Sequence, residues 1–122
     1  MGGDFGPRVT VPSSIQALAR HPNLTIHLIG HQDEITPHIR KLNSDIASRL
    51  EITHTDQLIG MDEKPSMALR HGKGSSMHLA LKQVSEGQAN ACVSAGNTGA
   101  LMVLGRSVLK TLPGIDRPAI IS

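Results

Sequence analysis

Two strand-like stretches with a helix-like stretch between them constrain this chain most. Residues 23–30 (Asn-Leu-Thr-Ile-His-Leu-Ile-Gly) alternate as a strand does and end on glycine, and Leu50–His54 forms a second short strand. Between them residues 33–42 have helical character, with Pro37 starting or interrupting the helix. Strands joined through a helix run parallel, because antiparallel neighbours need only a tight turn whereas parallel ones need a crossover. The alternation continues on both sides. Residues 7–12 read as a turn feeding a helix over 13–20, where Ile15, Leu18 and Ala19 recur at i, i+3, i+4. Residues 55–65 read as a loop, 66–70 as a helical turn, 75–86 as a helix, 91–94 as an apolar strand, 101–110 as a helix and 117–121 as the start of another strand. This order predicts an α/β fold with a mostly parallel sheet and helices on both faces.

At 122 residues the chain is one domain at most. Gly2-Gly3-Asp4 has the character of a turn with no strand before it, and Ser122 stops inside an apolar run, so the domain is expected to be truncated at both ends. The longest apolar run, 99–105, falls far short of the roughly 18 residues of a membrane span, and no signal peptide is visible. A lone Cys92 in an apolar segment is expected to be a buried hydrophobe in a reducing compartment, so the cytoplasm is the expected location. Basic residues exceed acidic ones by only two and Phe5 is the sole aromatic residue, which argues against nucleic acid as a partner.

The segment Ala91-Cys92-Val93-Ser94-Ala95-Gly96-Asn97-Thr98-Gly99-Ala100 carries the clearest chemistry. A strand that turns on glycines into a helix leaves the first helical N–H groups without partners, at an end bearing about half a positive charge. Such a turn binds anions, phosphate above all. Gly96 and Gly99 are expected to allow close backbone approach or positive φ, and Asn97 and Thr98 to offer polar groups at the mouth. The bland alternative is a glycine turn with Thr98 as N-cap.

A second polar cluster runs from Glu63 to Ser76. Arg70 and Lys73 supply cations, while Ser75 and Ser76 open the next helix, which suits an anionic substrate or, more plainly, a solvated loop with Ser75 as cap. His71, between the two cations, is a candidate substrate contact. Met67 stands where a Walker loop needs glycine, and Met77 where a dinucleotide fingerprint needs its third glycine. Cys92 precedes Ser94 where a hydrolase elbow needs glycine. The seven histidines form no His-Glu-x-x-His and one cysteine builds no zinc knuckle, so no metal or organic cofactor is expected. A KH-like reading of Gly96-x-x-Gly99 is disfavoured because a KH loop joins two helices.

Taken together, Met1-Gly2-Gly3-Asp4-Phe5-Gly6-Pro7, the stretch from Lys64-Pro65 to Ser75-Ser76-Met77, Ser94-Ala95-Gly96-Asn97-Thr98-Gly99-Ala100 and Gly114-Ile115-Asp116-Arg117-Pro118 closely resemble the bacterial phosphate acyltransferases of phospholipid synthesis. The likeness covers essentially the whole chain, which corresponds to roughly the first third of such an enzyme. It implies a three-layer α/β/α fold similar to isocitrate and isopropylmalate dehydrogenases, with residues 1–122 as the N-terminal part of one domain. It further implies a homodimer, peripheral association with the cytoplasmic membrane and hand-over of acyl-phosphate to a membrane glycerol-3-phosphate acyltransferase. The implied reaction moves a fatty acyl group from acyl carrier protein to inorganic phosphate. Phosphate binding then falls to Ser94, Gly96, Asn97, Thr98 and Gly99, with Asn97 serving the oxyanion. Arg70 and Lys73 hold phosphate or steer the carrier, and Asp4 orients a cation or caps the first helix. The alternatives are a coenzyme A-dependent phosphotransacetylase-like enzyme and a non-catalytic anion-binding fragment.

Overall fold

The computed structural model describes residues 3–120. Helix α1 (Pro7–Arg20) leads to strand β1 (Ile26–Gly30), helices α2 (Gln32–Ile39) and α3 (Ser44–Ser48), and strand β2 (Leu50–His54). Helices α4 (Pro65–His71), α5 (Ser76–Ser85) and α6 (Thr98–Leu109) follow. The two strands pair in parallel, Ile26 opposite Leu50 through Gly30 opposite His54, as the helical crossover requires. The molecule is thus α/β, with a small parallel sheet and several helices.

Helix α1 begins at Pro7, earlier than the expected start at residue 13. Pro7 tolerates the first turn because its missing N–H would have no helical partner there, and the hydroxyls of Thr10, Ser13 and Ser14 bond back to the carbonyls of Gly6, Val9 and Thr10. Its inward face is Val11 and Leu18, both fully buried. The short α3 was not expected; Asn43 starts it by accepting the Ile46 N–H at 2.8 Å. At its far end Arg49 ties α1 to β2, donating to the carbonyls of Leu18, His21 and Leu24 and to the Asp45 carboxylate.

Two expected strands are not formed. Residues 91–94 have no ladder partner among the described residues, and Val93 is 96% exposed. A strand gains its backbone bonds only from a neighbour, and the described sheet ends at β1 and β2. Residues 117–120 are likewise irregular; Ile121 of that expected strand, and Met1 and Gly2 of the N-terminal turn, lie outside the described residues.

The second half is built on a core of Ile59, Ala68, Met77, Leu81, Ala100 and Leu104, against which Cys92, Leu101 and Val108 pack. This core clamps α4 and α5 onto α6 and so fixes the N-terminus of α6. Helix α5 also rests on β1, which joins this half to the sheet. Cys92 is half-buried rather than fully so, and its burial pushes the thiol pKa up, which keeps it protonated and unreactive. Among the described residues no helix is long and apolar enough to cross a membrane.

Candidate functional site

The N-terminus of α6 is held by one side chain. Asn97, 8% exposed, is its N-cap, accepting the Ala100 N–H through Oδ1 at 3.0 Å. The cap is therefore Asn97 and not Thr98, because Asn97 has the non-helical backbone that precedes the helix whereas Thr98 is already its first residue. The Asn97 amide nitrogen meanwhile donates to the carbonyls of Gly60, Met61 and Glu63 at 3.1, 3.0 and 2.8 Å. One residue thereby satisfies an orphan helix donor and gathers the loop of residues 60–63.

This arrangement changes the role expected of Asn97. Its two amide hydrogens are already shared among three carbonyls, so in this conformation no donor is left for an oxyanion. The side chain positions the turn instead. Thr98 and Gly99, by contrast, keep N–H groups without a partner among the described residues, at the positive end of a twelve-residue helix. Thr98 is exposed. The Gly96 N–H is taken by the Ser94 hydroxyl at 3.2 Å, which leaves the Ser94 hydroxyl hydrogen free to donate outward.

At Gly99 the role is packing rather than unusual backbone. Neither Gly96 nor Gly99 has a positive φ. A Cβ on Gly99 would lie 2.8 Å from Cγ of Pro65, so glycine there lets the start of α6 sit against the start of α4. Gly3 does have positive φ, and a Cβ on it would lie 3.0 Å from the Ala95 carbonyl oxygen. The N-terminal turn thus lies against the segment that leads into Asn97. Asp4, beside it, is exposed and does not cap α1, whose N-cap is Gly6 without any side-chain bond.

The second cluster shares a wall with the first. A polar cleft of about 420 Å³ is lined by Asp56, Gln57, Glu63, His71, Lys73 and Ser75 together with Leu58, Ile59 and Gly72. Glu63 lines this cleft while its carbonyl is held by Asn97, so Glu63 links the cleft to the helix terminus. Lys73 and His71 meet here; Arg70 is exposed in the last turn of α4 and does not line the cleft. Ser75 is fully buried and caps α5 by accepting the His78 N–H, and Ser76, also buried, donates its own N–H to the Gln57 carbonyl. Ser75 thus serves α5 as its cap.

Sequence reasoning placed Glu63 in the second cluster but gave no role to Asp56, Gln57 or His78. Gln57 and Thr55 tie the end of β2 to the turn before α5: Thr55 Oγ1 donates to the Gly74 carbonyl. His78 accepts the Gly74 N–H through Nδ1 at 3.4 Å, and burial, reinforced by Lys73 and Lys82, lowers its pKa and keeps the ring neutral. A further polar group is formed by His31, His54 and Asp56 at the carboxyl ends of the strands. Both rings reach Asp56 Oδ1 through Nε2, at 3.2 and 3.1 Å. His54 Nδ1 accepts the Gln32 N–H, which places the proton on Nε2 and disqualifies that nitrogen as a metal ligand. No cluster among the described residues is arranged to hold a metal ion.

Comparison with known proteins matches residues 1–122 to the family described as fatty acid synthesis protein. Relatives include proteins named phosphate acyltransferase from Shewanella amazonensis, 52% identical, Vibrio cholerae, 57% identical, and Vibrio campbellii, 56% identical. Each match covers all 122 residues of this chain and 36% of the relative. The chain spans about a third of the length of the curated relatives it matches.

Proposed function

The chain belongs to the fatty acid synthesis protein family, and on that premise we propose that it forms the phosphate-handling part of an acyltransferase that moves a fatty acyl group from the thioester of acyl carrier protein to inorganic phosphate. The observation that carries the reading is the α6 N-terminus, where Thr98 and Gly99 present unpartnered N–H groups on a turn locked by Asn97. The relatives named phosphate acyltransferase support it.

In the proposed reaction one oxygen of hydrogen phosphate attacks the thioester carbonyl carbon. A carbon–oxygen bond forms, the carbon–sulfur bond breaks, and the proton of hydrogen phosphate ends on the departing thiol. The nucleophile is already anionic near neutral pH, so the protein's contribution is desolvation and alignment. The Thr98 and Gly99 amides and the Ser94 and Thr98 hydroxyls hold phosphate. Lys73 and His71 supply cationic and polar groups from the cleft that Glu63 links to this turn, and Arg70 attracts anions from outside. Asn97 acts as a positioning residue. Asp4 borders the site through the packing of Gly3 on Ala95. The fold is proposed to be part of a three-layer α/β/α domain, and the homodimer, the peripheral membrane location and the hand-over to a glycerol-3-phosphate acyltransferase are proposals carried by the resemblance.

The test grafts this 122-residue stretch onto the remainder of a full-length relative and follows phosphate-dependent release of free thiol from palmitoyl-acyl carrier protein, trapping acyl-phosphate with hydroxylamine. Thiol release that requires phosphate supports the reading. Release from palmitoyl-coenzyme A but not from the carrier would transfer it to the phosphotransacetylase type, and no release with either donor would overturn it.

A further inference from the structure

We infer that the groove between α4 and α6 docks an acidic, amphipathic helix of a protein partner; the identity of that partner as the thioester-bearing carrier rests on the function proposed above. The groove encloses about 460 Å³ and is lined by Leu69, Val103, Arg106, Ser107, Lys110 and Thr111. Leu69 is 50% exposed, and Leu109 and Leu112 beyond it are also exposed. An apolar floor left open to water suits contact with another apolar surface.

Charge selects the occupant. Helix α4 contains no carboxylate, nor does the stretch 98–112, yet together they carry Arg70, Arg106 and Lys110. Neither Arg106 nor Lys110 makes an ion pair among the described residues. Lys110 is held at the rim by donating to the Ser107 carbonyl at 2.9 Å. A cation in a last helical turn complements its own helix dipole, but that does not call for an exposed apolar floor between two such helices. A ridge of apolar side chains from a helix fills a groove of this kind, and carboxylates flanking the ridge meet the cations. A bilayer surface fits less well, since polybasic membrane sites use about 4–8 Lys or Arg and the groove is lined by two, Arg106 and Lys110.

The groove and the phosphate turn lie on the same helix. From Gly99 to Ser107 the axial rise is about 12 Å, at roughly 1.5 Å per residue. A carrier seated at Ser107 therefore lies within reach of the α6 N-terminus for a thioester on a flexible arm.

The experiment titrates the chain with acyl carrier protein bearing its thioester at low salt, and records binding alongside the 15N–1H amide spectrum. Expected are saturable binding that weakens with salt, shifts at Leu69, Arg106 and Lys110, and a loss of about tenfold or more in affinity for Arg106→Glu/Lys110→Glu. Arg106→Gln, a milder change, should weaken binding in part with an unchanged circular dichroism spectrum. Equal affinity in the well-folded charge-reversed chain overturns the inference, as does adherence to phosphatidylglycerol vesicles without binding of the carrier. If the carrier fails to bind while phosphate still shifts Thr98 and Gly99, docking falls and the transfer reading stands. If phosphate is silent as well, both fall.

Discussion

Replacing Asn97 with alanine removes two separate things whose sizes can be worked out from the structure. The first is the helix cap, the 3.0 Å bond from the Ala100 N–H, whose loss costs about 1 kcal/mol. The second is the clamp on residues 60–63. Three carbonyls share two amide hydrogens, so the clamp is worth about two hydrogen bonds of roughly 1 kcal/mol each. Asn97 is 8% exposed, so water does not readily replace the lost donors. Asn97→Ala should therefore lose about 2–4 kcal/mol, a large share of the 5–15 kcal/mol typical of a domain. Asn97→Ser restores the cap acceptor but reaches no carbonyl, so it should recover only about 1 kcal/mol. Asn97→Asp keeps the cap yet turns carboxylate oxygens toward three carbonyls, and should be at least as damaging as alanine. Urea unfolding followed by circular dichroism gives all three values. A loss below about 0.5 kcal/mol for alanine, or a serine variant as stable as the parent, would refute the clamp.

Gly99→Ala should cost about 1–2 kcal/mol despite alanine's better helix propensity, because its Cβ would lie 2.8 Å from Pro65 Cγ. Adding Pro65→Ala should return most of that loss in a double-mutant cycle, and additive losses would remove the contact from the account. His78 makes stability pH-dependent. Its folded pKa is lowered, so its contribution is complete above the unfolded value of about 6.5 and is lost as pH falls from there toward the folded value. The urea midpoint should thus drop more steeply below that pH in the parent than in His78→Gln, and parallel curves would contradict the assignment.

The parallel strand pair was legible because β-type alternation and an intervening helix leave few topologies; β2 begins and ends where the sequence places it, while β1 starts three residues later, at Ile26. Helices α5 and α6 were legible from their apolar spacing and from polar residues at their starts. The first turns of α1 were not, since Pro7 and Pro12 read as turn signals until the back-bonding hydroxyls are seen. Apolar character alone suggested a strand at 91–94, but a strand is a property of pairs, and the described residues supply no partner. At the site, the turn itself was readable from its glycines. The duty of Asn97 was not, because its acceptors lie 34 to 37 residues earlier and only the tertiary fold brings them to it. Gly99 was read as room for a ligand, whereas the neighbour that needs the room is Pro65.

The most direct test of the phosphate turn is a titration of the 15N-labelled chain with inorganic phosphate, read amide by amide, with chloride at matched ionic strength as control. Saturable shifts are expected, greatest at the Thr98 and Gly99 amides, with little change at Ala100, whose N–H is already bonded to Asn97. Absence of shifts at Thr98 and Gly99, or shifts confined to exposed lysines and reproduced by chloride, would contradict it.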